Sequence, residues 1–388
     1  MEVVILMVEA AYIHIPFCEQ ICHYCDFNKV FLKGQPVNEY LVALDREIEN
    51  TVKTFPYKNL ATIFVGGGTP TALNMEQLEK LLSSIRKHLV RDDQVLEFTF
   101  EANPGDLSKE KLQLLLDGGV NRLSLGVQTF DNEMLAKIGR SHRKEDVFHS
   151  IDLANEVGFH NINVDLIYSL PGQTKENFKE TLNTAFTLDV THFSCYSLII
   201  EPKTVFYNLM RKGKLPIPPQ EIEAEMFALL MEIMGYNGFE QYEISNFSKR
   251  GFESQHNLTY WNNEEYYGFG AGAHSYISGS RRVNAGPLKK YLTKVSESGL
   301  SCVESHPVTQ WEKMEEEMFL GLRKTEGVSK EKFLKKFNVG MYEVFGEQII
   351  DQKQKGLLEE NNNVIRLTRK GMFLGNEVFQ AFLVESNR

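Results

Sequence analysis

YIHIPFCEQICHYCD, residues Tyr12 to Asp26, decides how the rest of the chain is read. Tyr12-Ile13-His14-Ile15 is aromatic and β-branched and predicts a strand. Pro16 ends it, because proline has no N–H to give to a ladder. Cys18, Cys22 and Cys25 follow in a C-x-x-x-C-x-x-C spacing on a short loop. Three thiolates this close together can share one metal centre. A closed zinc site takes a fourth protein ligand, which here would be His14 or His23. An iron–sulfur cube has one iron more than these cysteines can hold, and that open iron can take a small molecule directly. A disulfide framework fits neither the odd count nor a chain with a reducing-compartment composition.

The length of 388 residues allows one large domain and a smaller one. With 52 acidic and 42 basic side chains the net charge is −10. That balance argues against general nucleic-acid binding, which depends on neutralising phosphates with Lys and Arg. The apolar run Val3 to Val8 is short and has no basic residues before it, so it reads as neither a signal peptide nor a membrane span. The expected location is the cytoplasm, where clustered thiols stay reduced.

Along the chain, β-like and helix-like stretches alternate. Asn38 to Val52 carries Tyr40, Leu41, Leu44 and Ile48 at helical spacing. A strand over Ala61 to Val65 leads into Gly66-Gly67-Gly68-Thr69-Pro70. A helix over Met75 to Leu89 presents Leu78, Leu81, Leu82 and Ile85 on one face. Strands over Val95 to Phe100, Arg122 to Val127, Ile162 to Tyr168 and His192 to Ile200 follow, with helices between them. Six β–α units in succession predict a parallel sheet that curls, and a closed barrel would need about eight. The fold class is therefore α/β, an open partial (β/α)6 TIM-like barrel. Thr204 to Pro219 reads as a basic connector, Gln220 to Met234 as a helix and Gly238 to Phe247 as a further strand. From about Pro287 the pattern is helical with a strand pair near Val364 to Leu367, and EENNN at Glu359 to Asn363 reads as a turn. This predicts a small winged-helix-like C-terminal α+β domain. The expected domains are 1–285 and 286–388.

In parallel barrels the chemistry gathers at the C-terminal ends of the strands. The glycine run there lets a ligand approach backbone that a side chain would block. Glu101 closes the third strand, Gln128 the fourth, and Asp165 lies on the fifth, with Arg140 one helix beyond Gln128. Each alone reads as a solvated or capping polar residue. On successive strand ends facing the cysteine loop, they look like one cavity.

The motifs YIHIPFC, GGGTPT, EANP, GVQ and DLIYSLPGQT together resemble the radical S-adenosylmethionine superfamily, in its coproporphyrinogen dehydrogenase branch, over nearly the whole chain. The resemblance implies a 4Fe-4S cluster on Cys18, Cys22 and Cys25, with S-adenosyl-L-methionine on the open iron. It places Tyr24 beside the adenine and Gly67, Gly68 and Thr69 against the methionine end. It gives Tyr12, Glu101, Gln128, Arg140 and Asp165 to S-adenosylmethionine as well. The implied chemistry is reductive, with an electron donor feeding the cluster and a 5′-deoxyadenosyl radical released inside the barrel.

Within the branch, the oxidase that makes protoporphyrinogen carries a further cysteine where this chain has Phe27, and a longer N-terminal cover than the roughly ten residues before Tyr12. His256-Asn257-Leu258-Thr259-Tyr260-Trp261 is similar to the H-N-x-x-Y-W motif of the branch's haem chaperones. A histidine can give haem iron an axial nitrogen, and Tyr and Trp give a porphyrin flat faces; without the resemblance, a packed loop histidine is the simpler reading. His274 is a second, weaker ligand candidate, and Cys195 and Cys302 read as packed thiols. The expected function is binding of haem and its transfer to acceptor haemoproteins, respiratory-chain enzymes at the membrane among the candidates. The alternatives are a coproporphyrinogen III dehydrogenase and a zinc-bound module. The sequence does not fix the oligomeric state and leaves a homodimer open.

Overall fold

The computed structural model describes residues 8–91 and 95–383. Apart from Val8, the apolar run read from Val3 to Val8 lies outside the described residues. Among those described, no helix is long and apolar enough to cross a membrane.

Six parallel strands appear in the predicted order: β1 (Ala10–Ile15), β2 (Thr62–Gly67), β3 (Glu97–Ala102), β4 (Arg122–Gln128), β5 (Ile162–Tyr168) and β6 (His192–Ser197). Helices return the chain between them. Met75–Leu89 begins with a capping box in which Asn74 accepts from the Gln77 N–H, and it buries Leu78, Leu81, Leu82 and Ile85. Strand β4 is buried at every residue, as expected of a strand covered on both faces.

The sheet is larger than six strands. After β7 (Glu240–Glu243) and β8 (Asn246–Ser248), the chain crosses to the other edge, where β9 (Tyr266–Phe269) joins β1 in parallel. Then β10 (His274–Ile277), β11 (Ser280–Asn284) and β12 (Cys302–Pro307) continue antiparallel. The order is β12-β11-β10-β9-β1-β2-β3-β4-β5-β6-β8-β7, so the barrel stays open and both flanks end in short antiparallel strands. Strand β12 corrects the reading that the chain from about Pro287 is helical apart from a strand pair near Val364 to Leu367. Its residues are mostly exposed and polar, so no apolar alternation marks it. The connector at 204–219 contains the helix Val205–Arg211, and the turn expected at Glu359–Asn363 is narrower, since 358–361 is strand.

The helix Leu288–Ser298 packs Leu288, Tyr291 and Val295 into the barrel's core. A second core begins at Met314 and gathers Met318, Phe333, Phe345, Ile365 and Phe379. It is built from Gln310–Gly321, Lys330–Phe337 and Met341–Gln354 with a three-stranded sheet, the winged-helix-like arrangement. The change of core therefore falls after Pro307, later than the 285/286 boundary, because the helix and β12 complete the first sheet.

The helix Gln255–Trp261 closes the lower end of the barrel. The Glu97 carboxylate, at the start of β3, accepts from the Ser254 hydroxyl and from the Gln255 and His256 N–H groups at 2.8 to 3.1 Å. A carboxylate at a helix N-terminus satisfies its orphan donors and complements its dipole. At the helix's other end, the Arg323 guanidinium stands 4.5 Å from the Trp261 ring centroid, so the same helix joins the barrel to the second core.

Candidate cluster and cofactor site

The register of β1 on β2 carries on past the strands. Gly68 N–H donates to Ile15 O and Thr69 N–H to Phe17 O, both at 2.8 Å. This presses the glycine run against the start of the cysteine loop. A Cβ on Gly68 would meet the backbone of Pro16 and Phe17, one on Gly67 (φ +113°) the His14 ring, and one on Gly66 the Glu101 carboxylate. The glycines thus admit the protein's own loop and carboxylate first, while Gly67 and Gly68 still form part of the cavity wall.

The loop is held from its far side as well. Gln20 Nε2 donates to Gly139 O at 2.9 Å, and the His23 N–H to Ile138 O at 2.9 Å. Inside this frame lies a cavity of about 480 Å³ at the C-terminal ends of the strands. Cys18, Cys22 and Cys25 all line it, and all are free thiols. So do Tyr24, Thr69, Glu101, Gln128, Arg140 and Asp165. Alternate residues of each strand point inward, and so Phe64, Ser124, Asn163 and Ser194 join the same wall.

Arg140 links these groups. Its Nη1 donates to Asn103 Oδ1 at 2.9 Å and reaches Cys22 Sγ at 3.6 Å, and Nη2 donates to Gly126 O. Its buried Nε has no partner among the described residues. Gly126 has no Cβ where the guanidinium lies. Two positions later, Gln128 is 7% exposed and holds φ +68°, a left-handed conformation that a residue with a Cβ seldom adopts, at a bulge between β4 and β5. Such strain is typical of places where a side chain must be re-aimed.

The acids of the cavity are displaced upward. The Glu101 carboxyl opens onto the cavity but is densely surrounded, and burial, then the nearby Asp165, lift it to about 7. The Gly67 N–H, 2.9 Å from Glu101 Oε2, and Arg140 oppose the rise. Burial raises Asp165 too, while Asn163 and Ser194 hold it down. Among the thiols, burial pushes Cys18 up to about 11 against the Thr69 hydroxyl, and it raises Cys25 against Lys29. Binding a metal there would therefore release protons.

These residues fit a cluster and an S-adenosylmethionine-sized ligand. A volume of this size lies within the range of about 300–1,000 Å³ usual for small-molecule sites. Sulfur donors, a guanidinium and carboxylates line the space together. A single zinc ion is a poorer match. His14 uses one ring nitrogen with the Tyr12 hydroxyl at 2.9 Å and the other with Asn28 O at 2.7 Å, and His23 Nδ1 bonds Lys137 O at 2.8 Å. Among the described residues, no three His, Cys, Asp or Glu side chains converge as the ligands of one ion would. Ligands of an iron–sulfur cube bind separate irons and stand further apart.

Two expected contacts are placed differently. Tyr12 lies below the cavity wall, its ring against Phe64 at 6.1 Å. His256 is 1% exposed, and both ring nitrogens are engaged, Nδ1 with the Thr62 hydroxyl and Nε2 with the Tyr260 hydroxyl, each at 2.8 Å. Its ring stacks on Phe64 at 5.2 Å, and burial, with Arg122 nearby, lowers its pKa to about 3. An axial haem ligand needs a free nitrogen and an open face. As folded, both nitrogens of His256 are engaged and its ring is covered, unlike the open ligand that the sequence reading expected. Its neighbour Asn257 lines the cavity from below instead. His274 is exposed and does not line the cavity. Gly126 and Asn103 lie in the quoted motifs GVQ and EANP but are absent from the site residues expected from the sequence. A lone glycine inside an otherwise buried strand was the available signal for the first.

The chain matches the Radical SAM superfamily model over residues 12–185 and the HemN C-terminal domain model over residues 308–374. Its fold is that of the coproporphyrinogen III oxidase HemN from Escherichia coli, a radical SAM enzyme, with a TM-score of 0.85 over 97% of this chain and 90% of that one at 24% identity. Barrel and site thus define a radical SAM protein. It is 55% identical to the heme chaperone HemW of Bacillus subtilis (strain 168), over 97% of this chain and 100% of the relative. To the heme chaperone HemW of Lactococcus lactis subsp. lactis (strain IL1403) it is 47% identical, over 97% of each. The chain belongs to the HemW family.

Proposed function

We propose that this protein is a haem chaperone that binds haem and passes it to acceptor haemoproteins. In this reading Cys18, Cys22 and Cys25 hold a 4Fe-4S cluster, and the cavity beneath them holds S-adenosyl-L-methionine. The observation that carries it is the convergence of the three thiols, Arg140, Glu101 and Asp165 on one cavity, in a chain of this family. When bound and reduced, the two groups would supply a 5′-deoxyadenosyl radical.

The protein's own residues orient and exclude. Arg140 sets a positive charge beside Cys22. Glu101 and Asp165 offer acceptors to the cofactor's ammonium and ribose. Gln128, held in its left-handed turn, and Tyr24, half-buried against the apolar cluster that includes Ile167, frame the adenine. Tyr12 supports this wall through Phe64. The floor helix keeps bulk water out from below.

The dehydrogenase alternative is weaker because Phe27, 63% exposed at the mouth, stands where that enzyme has a further thiol. We place the protein in the cytoplasm, because free thiols at an oxidisable centre need a reducing compartment. A reduced electron carrier would feed the cluster, and acceptors at the membrane belong to the same reading. A homodimer is a question for sedimentation. The test is anaerobic reconstitution with measurement of iron, sulfide and zinc, then haem titration beside a coproporphyrinogen assay. Iron and sulfide near four each per chain, with haem uptake and no turnover, is the expected outcome. Turnover at enzymatic rates would defeat the chaperone reading, and stoichiometric zinc without sulfide would defeat the cluster.

A further inference from the structure

The lip of the cavity has a surface that the fold does not explain. Residues 199–217 leave the end of β6, form the helix Val205–Arg211 and return toward the end of β5. The inward face is satisfied: Ile200, Phe206, Leu209 and Leu215 pack into a small apolar cluster with Tyr24 and Ile167. Backbone bonds fix it, from Phe206 N–H to His23 O of the cysteine loop at 3.0 Å and from Gly172 N–H to Pro216 O at 2.8 Å. Other apolar side chains of the segment stand bare. Ile199, Val205, Met210 and Ile217 are 69%, 47%, 38% and 40% exposed. Ile199 also lines the cavity, as does the exposed Phe27 across the mouth, so the bare surface runs into the opening. Large apolar side chains left exposed at the mouth of a cavity are a signal of binding.

The charge of the lip opposes that of the chain. Lys203, Arg211, Lys212 and Lys214, all exposed, face Glu201 as the one acid in 199–217, in a protein of net charge −10. We propose that this lip is the seat of the haem. Ile199 and Phe27 at the mouth, with the exposed apolar side chains beyond Ile199, take the porphyrin plane, and the lip's cations take the two propionates. The proposal rests on the haem-chaperone reading above. A flat apolar dianion matches both features at once, and charge complementarity fixes its orientation. A bilayer with anionic headgroups shares the chemistry but not the shape, because the surface turns inward at Ile199 to the cavity wall. The seat is also the one that the closed surroundings of His256 leave open.

The experiment uses the full, anaerobically reconstituted protein. Ile199→Asp with Met210→Asp is expected to weaken haem binding by about tenfold or more at unchanged iron and sulfide content. Arg211→Glu with Lys212→Glu is expected to weaken haem binding and leave binding of haem dimethyl ester unchanged. This second pair lies wholly on the surface and keeps the test open should the aspartates disturb the cluster. Unchanged haem affinity in the variants overturns the proposal. If binding to phosphatidylglycerol vesicles falls in them instead, the lip is a lipid face. A wild-type protein that takes up no haem overturns the chaperone reading itself, a result distinct from loss confined to the variants.

Discussion

The Arg140 guanidinium occupies the space beside Gly126 where any other residue would carry its Cβ. Through that contact a half-buried cation reaches Asn103 and Cys22 at once. Gly126→Ala is expected to cost about 1–3 kcal/mol, the usual penalty for overpacking a dense interior. It would also move Arg140 off Cys22 and reduce affinity for S-adenosylmethionine. Thermal melts and equilibrium dialysis read the two effects. Unchanged affinity in a folded variant would remove Arg140 from the site.

Replacing Cys18, Cys22 or Cys25 singly with Ser should leave little iron or sulfide after reconstitution. Cys195→Ser and Cys302→Ser should leave both at wild-type levels, since Cys195 is buried in β6 outside the cavity wall and Cys302 lies on the edge strand. Stripping the cluster with a chelator should lower the melting temperature, because the loop then loses its tie through the three cysteines and keeps only hydrogen bonds, such as those to the 137–139 turn, Thr69 and Phe206.

Glu101 gives a pH signature of known sign. Its carboxyl sits at about 7 in the fold against an ordinary 4.5, so between these values the folded chain holds a proton that the unfolded chain has lost. The stability it contributes is present below the ordinary carboxyl range and disappears as pH rises through about 7. Glu101→Gln removes that loss. The difference in melting temperature between variant and wild type should shift in the variant's favour from about pH 5 to about pH 8. A difference that stays constant across this range would show an unperturbed carboxyl.

His256→Ala deletes two hydrogen bonds and a ring stack in the barrel floor. A loss of about 2–4 kcal/mol is expected, with the absorption spectrum of bound haem unchanged. The histidine's lowered pKa has the opposite sign to Glu101: stability is lost as pH falls from 6.5 toward 3, because the unfolded ring takes a proton that the buried ring refuses. That slope should flatten in the variant. A normal melt with an altered haem spectrum would return His256 to the iron.

The barrel strands were legible because β-rich runs ended at Gly, Asn-Pro and Pro-Gly turns, and strand-end residues in such a sheet face one mouth. That is why Glu101, Gln128 and Asp165 meet the three cysteines. The flanks were not legible for physical reasons. Tyr266–Phe269 is a short aromatic run with a glycine in it, and its parallel partner β1 lies far away in sequence. Strand β12 is an exposed, polar edge. The motif His256 to Trp261 carried the right residue types for a porphyrin, but only the fold shows that Glu97, Thr62 and Arg323 turn them toward the protein's own interior.

The Glu97-anchored helix turns the barrel into a vessel with a stopper at its base. On the reading proposed above, a haem seated on the lip would lie over the cavity at Ile199 and Phe27. The nucleoside would then be loaded before the pigment and exchanged after the pigment has been handed on, so that the order of the two ligands follows from their depth.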